Sequence, residues 1–404
     1  MSKKDRYIIG LDIGSSKTCA LVAEMGEGEE AVRFIALGVA ESKGLRKGQI
    51  VNLDATVGSI RRAVEEAETA AGVPIESALL GVAGSHIRGV NSRGGALVAS
   101  RPREIQRDDV RRAIEAARQV SLPEDRDVLH VLPQEFFLDG HDSIRDPIGM
   151  VGQKLETNVH IVTASATATQ NFITAVNKAG VVVRDTVLEP LAAADACLTN
   201  DERELGCCLL DMGGGTTELI VHTGGTVRHT AAIPVGGDHF TNDLAVGLRT
   251  PIPEAERIKR DHGCAWRELM REDHAIEIAS VGDRPPRTIF ARMLCEIVEP
   301  RAQELITLVM DELKRAGLDA QLPAGLVFTG GAAQLGGLEE LAEHMTGLPV
   351  RLGIPRGMDG LTEEVGRPEY ATAVGLVLYG ARAHRAAVQR GTFGSKLKAL
   401  FAGQ

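Results

Sequence analysis

Two short stretches of this chain carry the residue types that polyphosphate chemistry needs. Asp12 is followed by Gly14, Ser15, Ser16, Lys17 and Thr18, and Asp211 by Gly213, Gly214, Gly215, Thr216 and Thr217. A tight turn of glycine, serine and threonine aims successive backbone N–H groups into a concave nest that holds anions. Only small residues let the backbone approach that closely. Asp12 and Asp211 each end a strand beside such a turn, where a hard carboxylate suits Mg²⁺ through its retained waters. Lys17 can set a cation on a phosphate. One such turn says little, because an ordinary hairpin uses the same residues. Two of them, each introduced by Asp-x-Gly, predict loops that clamp one polyphosphate from opposite sides. No G-x-x-x-x-G-K-[ST] occurs, and no G-x-G-x-x-G opens a helix after a strand, which demotes the P-loop and dinucleotide folds.

A third signal is the run Leu326-Val-Phe-Thr-Gly-Gly-Ala, an apolar strand that ends on Gly330, Gly331 and Ala332. Such a turn lets a flat base or a ribose lie on the backbone, and it is equally the form of a plain packing turn between strand and helix.

The elements that must position these turns repeat. Residues 7–24 and 206–221 each read as an apolar strand, Asp-x-Gly, a small polar turn and a second apolar strand. Each pair is a hairpin, and the two begin near the start and near the middle of the chain, as two similar halves would. Third strands are predicted at 32–39 and 226–234, then amphipathic helices at 56–71 and 239–247. Helices at 167–178 and 190–198 flank a strand at 181–188. In the second half, helices at 300–315 and 338–345 flank a strand at 326–328. Mixed sheets with helices make the chain α/β. Each half holds an insertion. The first contains an extended pair at 87–99, a helix opening at residues 106–109, and strands at 128–138 and 154–162. The second contains helices at 253–262 and 265–270.

Composition bounds the partners. The 404 residues are 44% hydrophobic and 25% charged, with a net charge of −10, which is enough to bury a core. That acidity, with 3% aromatic residues, argues against nucleic-acid binding. Six cysteines include no C-x-x-C, so a zinc site is not expected, and reduced thiols fit the cytosol. Neither a signal core nor a run of about 18 apolar residues occurs, so neither export nor membrane spanning is expected. The only charges after Gly380 are Arg382, Arg385, Arg390, Lys396 and Lys398. Within that tail Phe393, Leu397, Leu400 and Phe401 fall on one helical face, with Lys396 and Lys398 beside them. This is the pattern of a short helix lying in an anionic membrane surface, and a frayed or core-docked terminal helix is the plainer reading of such a tail.

In five segments taken in order, the sequence resembles the actin-like superfamily of actin, Hsp70 and sugar kinases. Asp12-Ile-Gly-Ser is similar to its first phosphate loop and Asp211-Met-Gly-Gly-Gly-Thr-Thr to its second. Leu188-Glu-Pro-Leu-Ala-Ala-Ala and Tyr370-Ala-Thr-Ala-Val-Gly are similar to its two connecting helices, and Phe328-Thr-Gly-Gly-Ala to its adenosine loop. The resemblance implies a duplicated ribonuclease H-like fold, two lobes around a nucleotide cleft, with ATP and Mg²⁺ between them. It implies that Glu256 and Lys259, in Glu256-Arg-Ile-Lys, reach ribose and base, and that Arg260 stacks on adenine. It implies that Glu189 positions an attacking water. A solvated helix face and a simple helix start are the plainer readings of those segments.

Within that superfamily the whole chain resembles the FtsA family of division proteins. The supporting segments are Ile9-Gly-Leu-Asp-Ile-Gly-Ser-Ser-Lys-Thr18, residues 44–53, Ile233-Pro-Val-Gly-Gly-Asp238 and Val298-Glu-Pro-Arg301. The terminal helix is shorter than is usual there and has no tryptophan. The resemblance implies residues 1–83, 161–188 and 365–381 as a first-lobe core, with 84–160 as an inserted α+β subdomain. It implies residues 189–240 and 302–364 as a second-lobe core, 241–301 as its upper part, and 382–404 as linker and membrane tail. It further implies head-to-tail filaments, recruitment of later division proteins, and a place on the cytoplasmic face of the inner membrane at the division site. The acidic, apolar C-terminal tail of FtsZ would dock on the upper second lobe, with Arg287, Arg292 and Arg301 as its contacts. At most slow ATP hydrolysis is expected. A pilus-assembly scaffold, or a phosphotransferase or phosphatase on the same fold, is the alternative.

Overall fold

The computed structural model describes residues 6–26, 32–46, 48–270, 273–282 and 284–389. β1 (Tyr7–Ile13) and β2 (Lys17–Met25) form the first hairpin, and β3 (Val32–Glu41) extends it. β1 is almost wholly buried, so it sits inside a sheet rather than at its edge. α1 (Leu53–Ala71) is capped by Asn52, whose side chain accepts the Ala55 amide at 3.1 Å, and it ends at Gly72 with φ 67°. β4 (Ser77–Val82) returns parallel to β1. The chain then enters the insertion: β5 (Arg88–Leu97), α2 (Arg107–Arg118), β6 (Arg126–Leu138), β7 (His141–Ile144) and β8 (Lys154–Ser165). Its strands make an antiparallel sheet in the order β7-β6-β8-β5, with α2 packed on β5 and β8. α3 (Ala166–Lys178), β9 (Val182–Leu188) and α4 (Glu189–Cys197) complete the first half.

The second half runs β10 (Cys207–Met212), β11 (Thr217–Thr223), β12 (Thr226–Ile233), α5 (Gly237–Leu248) and α6 (Ile252–His262). It continues through β13 (Ala275–Ile278), β14 (Arg287–Phe290), α7 (Ala291–Arg315), β15 (Leu326–Thr329), α8 (Leu338–Thr346), β16 (Val350–Leu352) and α9 (Ala371–Gln389). The main sheets are β9-β4-β1-β2-β3 and β12-β11-β10-β15-β16, each with three antiparallel strands followed by two parallel ones. The repeat of the two Asp-x-Gly hairpins therefore extends to two whole sheets of one topology.

The connecting helices are exchanged between the lobes. α4 leaves the first sheet and packs on β10 and β11, while α9 packs on β1, β2 and β4. They meet through small residues: a Cβ at Gly375 would stand 1.8 Å from the Ala192 carbonyl oxygen. One apolar core lies under the first sheet and both connecting helices, and a second under the other sheet, α5 and α7.

Three expectations are corrected. The extended pair at 87–99 is a single strand, β5, whose partner is β8. Gly94 lies mid-strand because α2 presses on it; a Cβ there would stand 2.2 Å from the Ala117 amide nitrogen. The helix expected at 300–315 begins at Ala291 and carries Pro300 inside it. An internal proline costs about 3 kcal/mol. Upstream of it Ala291, Leu294, Cys295 and Val298 continue the buried stripe of Ala302, Leu305, Ile306, Val309 and Leu313. Each large apolar side chain in that stripe contributes roughly 1.5–3 kcal/mol, which offsets the loss. The helix expected at 265–270 is one 3₁₀ turn, Arg267–Leu269.

Candidate nucleotide site

The two Asp-x-Gly turns close in the same way and face each other. The Gly14 amide donates to the Lys17 carbonyl at 3.0 Å, and the Gly213 amide to the Thr216 carbonyl at 2.9 Å. A Cβ at Gly214 would lie 2.2 Å from the Ser16 hydroxyl oxygen, so the two loops approach closely there. The Ser15 hydroxyl accepts the Gly48 amide at 3.3 Å, tying the first loop to the chain ahead of α1. Lys17 donates to the Glu369 carbonyl and stands 3.7 Å from the centre of the Tyr370 ring, at the start of α9. Gly215, Thr216 and Thr217 turn the chain into β11, where the Thr217 hydroxyl donates to the Val235 carbonyl at 2.8 Å.

The start of α5 closes the site from the second lobe. The Gly237 amide donates to the Gly213 carbonyl at 2.9 Å and the Asp238 amide to the Gly214 carbonyl at 2.8 Å. Lys259 of α6 reaches down to this helix start, donating to the Gly237 carbonyl at 3.0 Å and to the Thr241 hydroxyl at 2.8 Å. Its ammonium also lies 2.7 Å from Glu256, whose carboxylate accepts the Thr241 hydroxyl. Against the rise that burial brings, the hydrogen bonds from Lys259 and Thr241 hold the Glu256 carboxyl low, with the exposed Arg260 adding its charge. A Cβ at Gly237 would stand 3.3 Å from Ala332, which brings the Gly330–Ala332 turn to the same place. Gly330 has φ 84°, and a Cβ there would stand 2.6 Å from an Asp211 carboxylate oxygen. Gly331 is exposed above it.

Between the turns lies a nest of acids. Asp12 is 8% exposed and Asp211 9%. Burial pushes Asp12 up to about 7, with Lys17 opposing and Asp211 adding to the rise. Burial likewise raises Asp211, opposed by the Thr372 hydroxyl, which donates to it at 2.7 Å, and by Lys17. Glu189, at the start of α4, is raised well above the ordinary range by burial and by Asp12, Glu218 and Asp211. Glu218 on β11 is pushed up to about 8 by burial and by Asp211, and one of its oxygens is buried with no partner. Four acids thus share this nest with Lys17 as the cation that opposes the rise at both aspartates. A divalent cation would relieve that field, and the donors are all hard oxygens. Among the described residues no three His, Cys, Asp or Glu side chains are grouped to hold a metal directly. Asp12 and Asp211 are the two carboxylates there whose oxygens suit such an ion.

Glu218, Asp238 and Thr372 are the residues here that motif reading missed. Glu218 does have a signal: a carboxylate directly after the turn, followed by Leu219, Ile220 and Val221 in a buried strand. Asp238 leaves none beyond its place beside two glycines. The three arginines singled out for a partner peptide fall around α5 and α7. Arg287 donates to the Leu248 carbonyl, Arg292 stands in the first turn of α7 beside Glu296, and Arg301 pairs with Asp243 at 2.7 Å and with Glu304. The residues expected to touch a membrane, Phe393, Lys396, Leu397, Lys398, Leu400 and Phe401, lie outside the described residues. Among the described residues, no helix is long and apolar enough to cross a membrane.

Two lobes of one topology, exchanged connecting helices and facing Asp-x-Gly turns define an actin-like ATPase fold. Solved structures agree. A PilM–PilN type IV pilus biogenesis complex aligns with a TM-score of 0.65 at 18% identity, over 93% of this chain and 98% of that one. MreB5 of Spiroplasma citri bound to ADP aligns with a TM-score of 0.59 at 14% identity, over 96% and 100%. At such identities these likenesses show the fold alone. Sequence relatives are more specific. The cell division protein FtsA of Pseudomonas aeruginosa is 47% identical over 375 residues, 93% of this chain and 89% of that protein. That of Neisseria meningitidis serogroup B is 41% identical over 378 residues, 93% and 91%. The family model for cell division protein FtsA matches residues 208–375, and the model for the SHS2 domain inserted in FtsA matches residues 84–163. The chain belongs to the FtsA family of cell-division proteins.

Proposed function

We propose that this protein is an ATP-binding scaffold of cell division that polymerises on the cytoplasmic membrane, anchors FtsZ through its C-terminal tail and recruits later division proteins. The observation that carries the nucleotide part is the pairing of the two turns, with Ser16 against Gly214 and Asp12 and Asp211 buried between them. Backbone amides of Ser15–Lys17 and Gly214–Thr217 would hold the phosphates, with Gly14 and Gly213 closing the two turns, and Lys17 would add a cation. Asp12 and Asp211 would hold Mg²⁺ through its waters, and the ion would neutralise phosphate charge. Glu256, Lys259 and Arg260 face ribose and base across the Gly330–Ala332 turn. Glu189 would orient a water for attack on the terminal phosphate, consistent with at most slow hydrolysis.

The upper second lobe suits a peptide that is acidic and apolar. Val246, Ile252, Phe290 and Met293 are large apolar side chains left exposed on α5, α6 and the β14–α7 junction, and Arg249, Arg287 and Arg292 lie among them in sequence. Arg292 is the least committed of the expected contacts, because Arg301 is held by Asp243 and Glu304. The test is binding of an FtsZ C-terminal tail peptide to the full chain with Mg–ATP present. Micromolar binding, weakened about tenfold or more by Arg292→Glu, is expected, a loss of ~1.4 kcal/mol. No binding at millimolar peptide, with nucleotide still held, would overturn the FtsZ part alone.

A further inference from the structure

The upper second lobe carries a pair of histidines that the nucleotide site does not use. His262 is the last residue of α6 and is half-buried, and His274 stands exposed immediately before β13. His262 Nδ1 lies 3.4 Å from His274 Nε2. The ring centres are 5.4 Å apart and the planes are tilted by 55°, so the rings meet by their nitrogen-bearing edges and not face to face. Both rings hang from anchored backbone. The His274 carbonyl accepts the Ala291 amide at 3.0 Å, the Asp273 carboxylate accepts the Arg292 amide at 3.0 Å, and Ala275 pairs with Phe290 across β13 and β14. On the other side Ala255 and Ile258 bury α6 in the second core. Just beyond His262, the Gly263 amide donates to the Lys259 carbonyl at 2.9 Å and the Ala265 amide to the Gly336 carbonyl at 2.7 Å.

At 3.4 Å the nitrogens are far apart for a hydrogen bond, whose usual span is about 2.7–3.2 Å. The separation matches a different arrangement. Two nitrogens bound at about 2.0–2.1 Å to one tetrahedral zinc ion stand about 3.3–3.4 Å apart. Imidazole nitrogen suits zinc, copper and nickel, whereas Mg²⁺ takes oxygen, so the pair differs in chemistry as well as in place from the acidic nest. Among the described residues no third His, Cys, Asp or Glu joins the pair. Two tetrahedral positions are then left to water, which makes an open, exchangeable site and not a closed structural one. Cysteine spacing gave no sign of zinc because these ligands are histidines, twelve residues apart on separate elements.

We propose that His262 and His274 form a two-histidine zinc site that clips the end of α6 to the start of β13. His262 Nδ1 and His274 Nε2 give their lone pairs to the ion, and each neutral ring keeps its proton on the other nitrogen. Because both backbones are already held, little ordering is left for the ion to impose. The site stands independently of the nucleotide and peptide readings.

The test titrates Zn²⁺ into the full-length protein by calorimetry, with excess Mg²⁺ present to occupy the acidic nest, and repeats it with His262→Ala and His274→Ala. Binding of one ion by the wild type is expected, weakened about tenfold or more in either variant and recovered in His274→Cys, whose thiolate is also a zinc ligand. Cu²⁺ serves as a second probe, since its electron paramagnetic resonance reports the nitrogens bound to it. The wild type should show two bound imidazoles, and each alanine variant one. No zinc binding by the wild type, equal zinc affinity in the wild type and both alanine variants, or a copper signal from a single imidazole in the wild type would overturn the proposal. The wild-type copper spectrum decides the matter even where a variant folds poorly.

Discussion

At the residue scale the site is governed by acids held where water would ordinarily stabilise their charge. Glu218 moves from 4.5 up to about 8 and Asp12 from 3.8 up to about 7. A carboxyl raised on folding stabilises the protein fully below its unfolded value, and that stability is lost as pH rises through the folded value. The nucleotide-free, metal-free protein should therefore lose thermal stability between about pH 5 and about pH 8. Glu218→Gln should flatten the upper part of that slope, and Mg–ATP should shrink it. A melting temperature that rises across the window, followed by calorimetry, would contradict the assignment of a buried acidic nest. Glu218 was passed over in the sequence because its neighbours in β11 read as ordinary strand residues; its one mark is a carboxylate placed directly after the turn and before Leu219, Ile220 and Val221. The aspartates at 12 and 211 stand out in the sequence because the same Asp-x-Gly turn occurs once in each half, where a single such turn would read as an ordinary hairpin.

Element-scale features divide by whether local chemistry or distant packing decides them. The hairpins, α1 and α4 were legible within a few residues, since apolar runs, caps and turn residues act locally. α7 was not: Pro300 reads as a helix start, and only the burial of Leu294 and Val298 against the second core carries the helix back to Ala291. The single strand β5 was missed for the same reason, because Gly94 answers to α2 across the sheet rather than to a turn. Gly375 is the sharpest case of close packing between elements. Gly375→Ala would drive a methyl to within 1.8 Å of the Ala192 carbonyl oxygen, where α9 crosses α4. Overpacking of this kind costs about 1–3 kcal/mol or more. Urea denaturation should show that loss. Unchanged stability would mean that the two connecting helices separate freely.

Across the whole molecule, the inserted subdomain ties the two lobes together. The Gln134 amide of β6 donates to the Val227 carbonyl at 2.9 Å, and His160 of β8 lies 2.9 Å from the Thr230 hydroxyl, both on β12 of the second lobe. Burial lowers His160 to about 3, so the contact is made by a neutral ring. A cavity of about 420 Å³ remains beside it, lined by Asn91, Gln134, Arg228, His229 and Gln321 among others. The proposed contact of residues 393–401 with a membrane belongs to this scale as well, because weak single contacts gain avidity when many copies are joined. Burying Leu397, Leu400 and Phe401 would contribute roughly 1.5–3 kcal/mol each. Leu400→Glu should release the protein from vesicles of anionic lipid, and undiminished co-sedimentation would rule the tail out as the anchor.

The measurement that bears most directly on the account is equilibrium binding of Mg–ATP to the purified protein, compared with Asp211→Ala and Glu189→Gln, each shown to be folded. The account predicts that the wild type binds, that Asp211→Ala loses binding, and that Glu189→Gln keeps the affinity while losing phosphate release. Wild-type affinity retained in Asp211→Ala would contradict the central claim that the two facing turns and their aspartates form the nucleotide site.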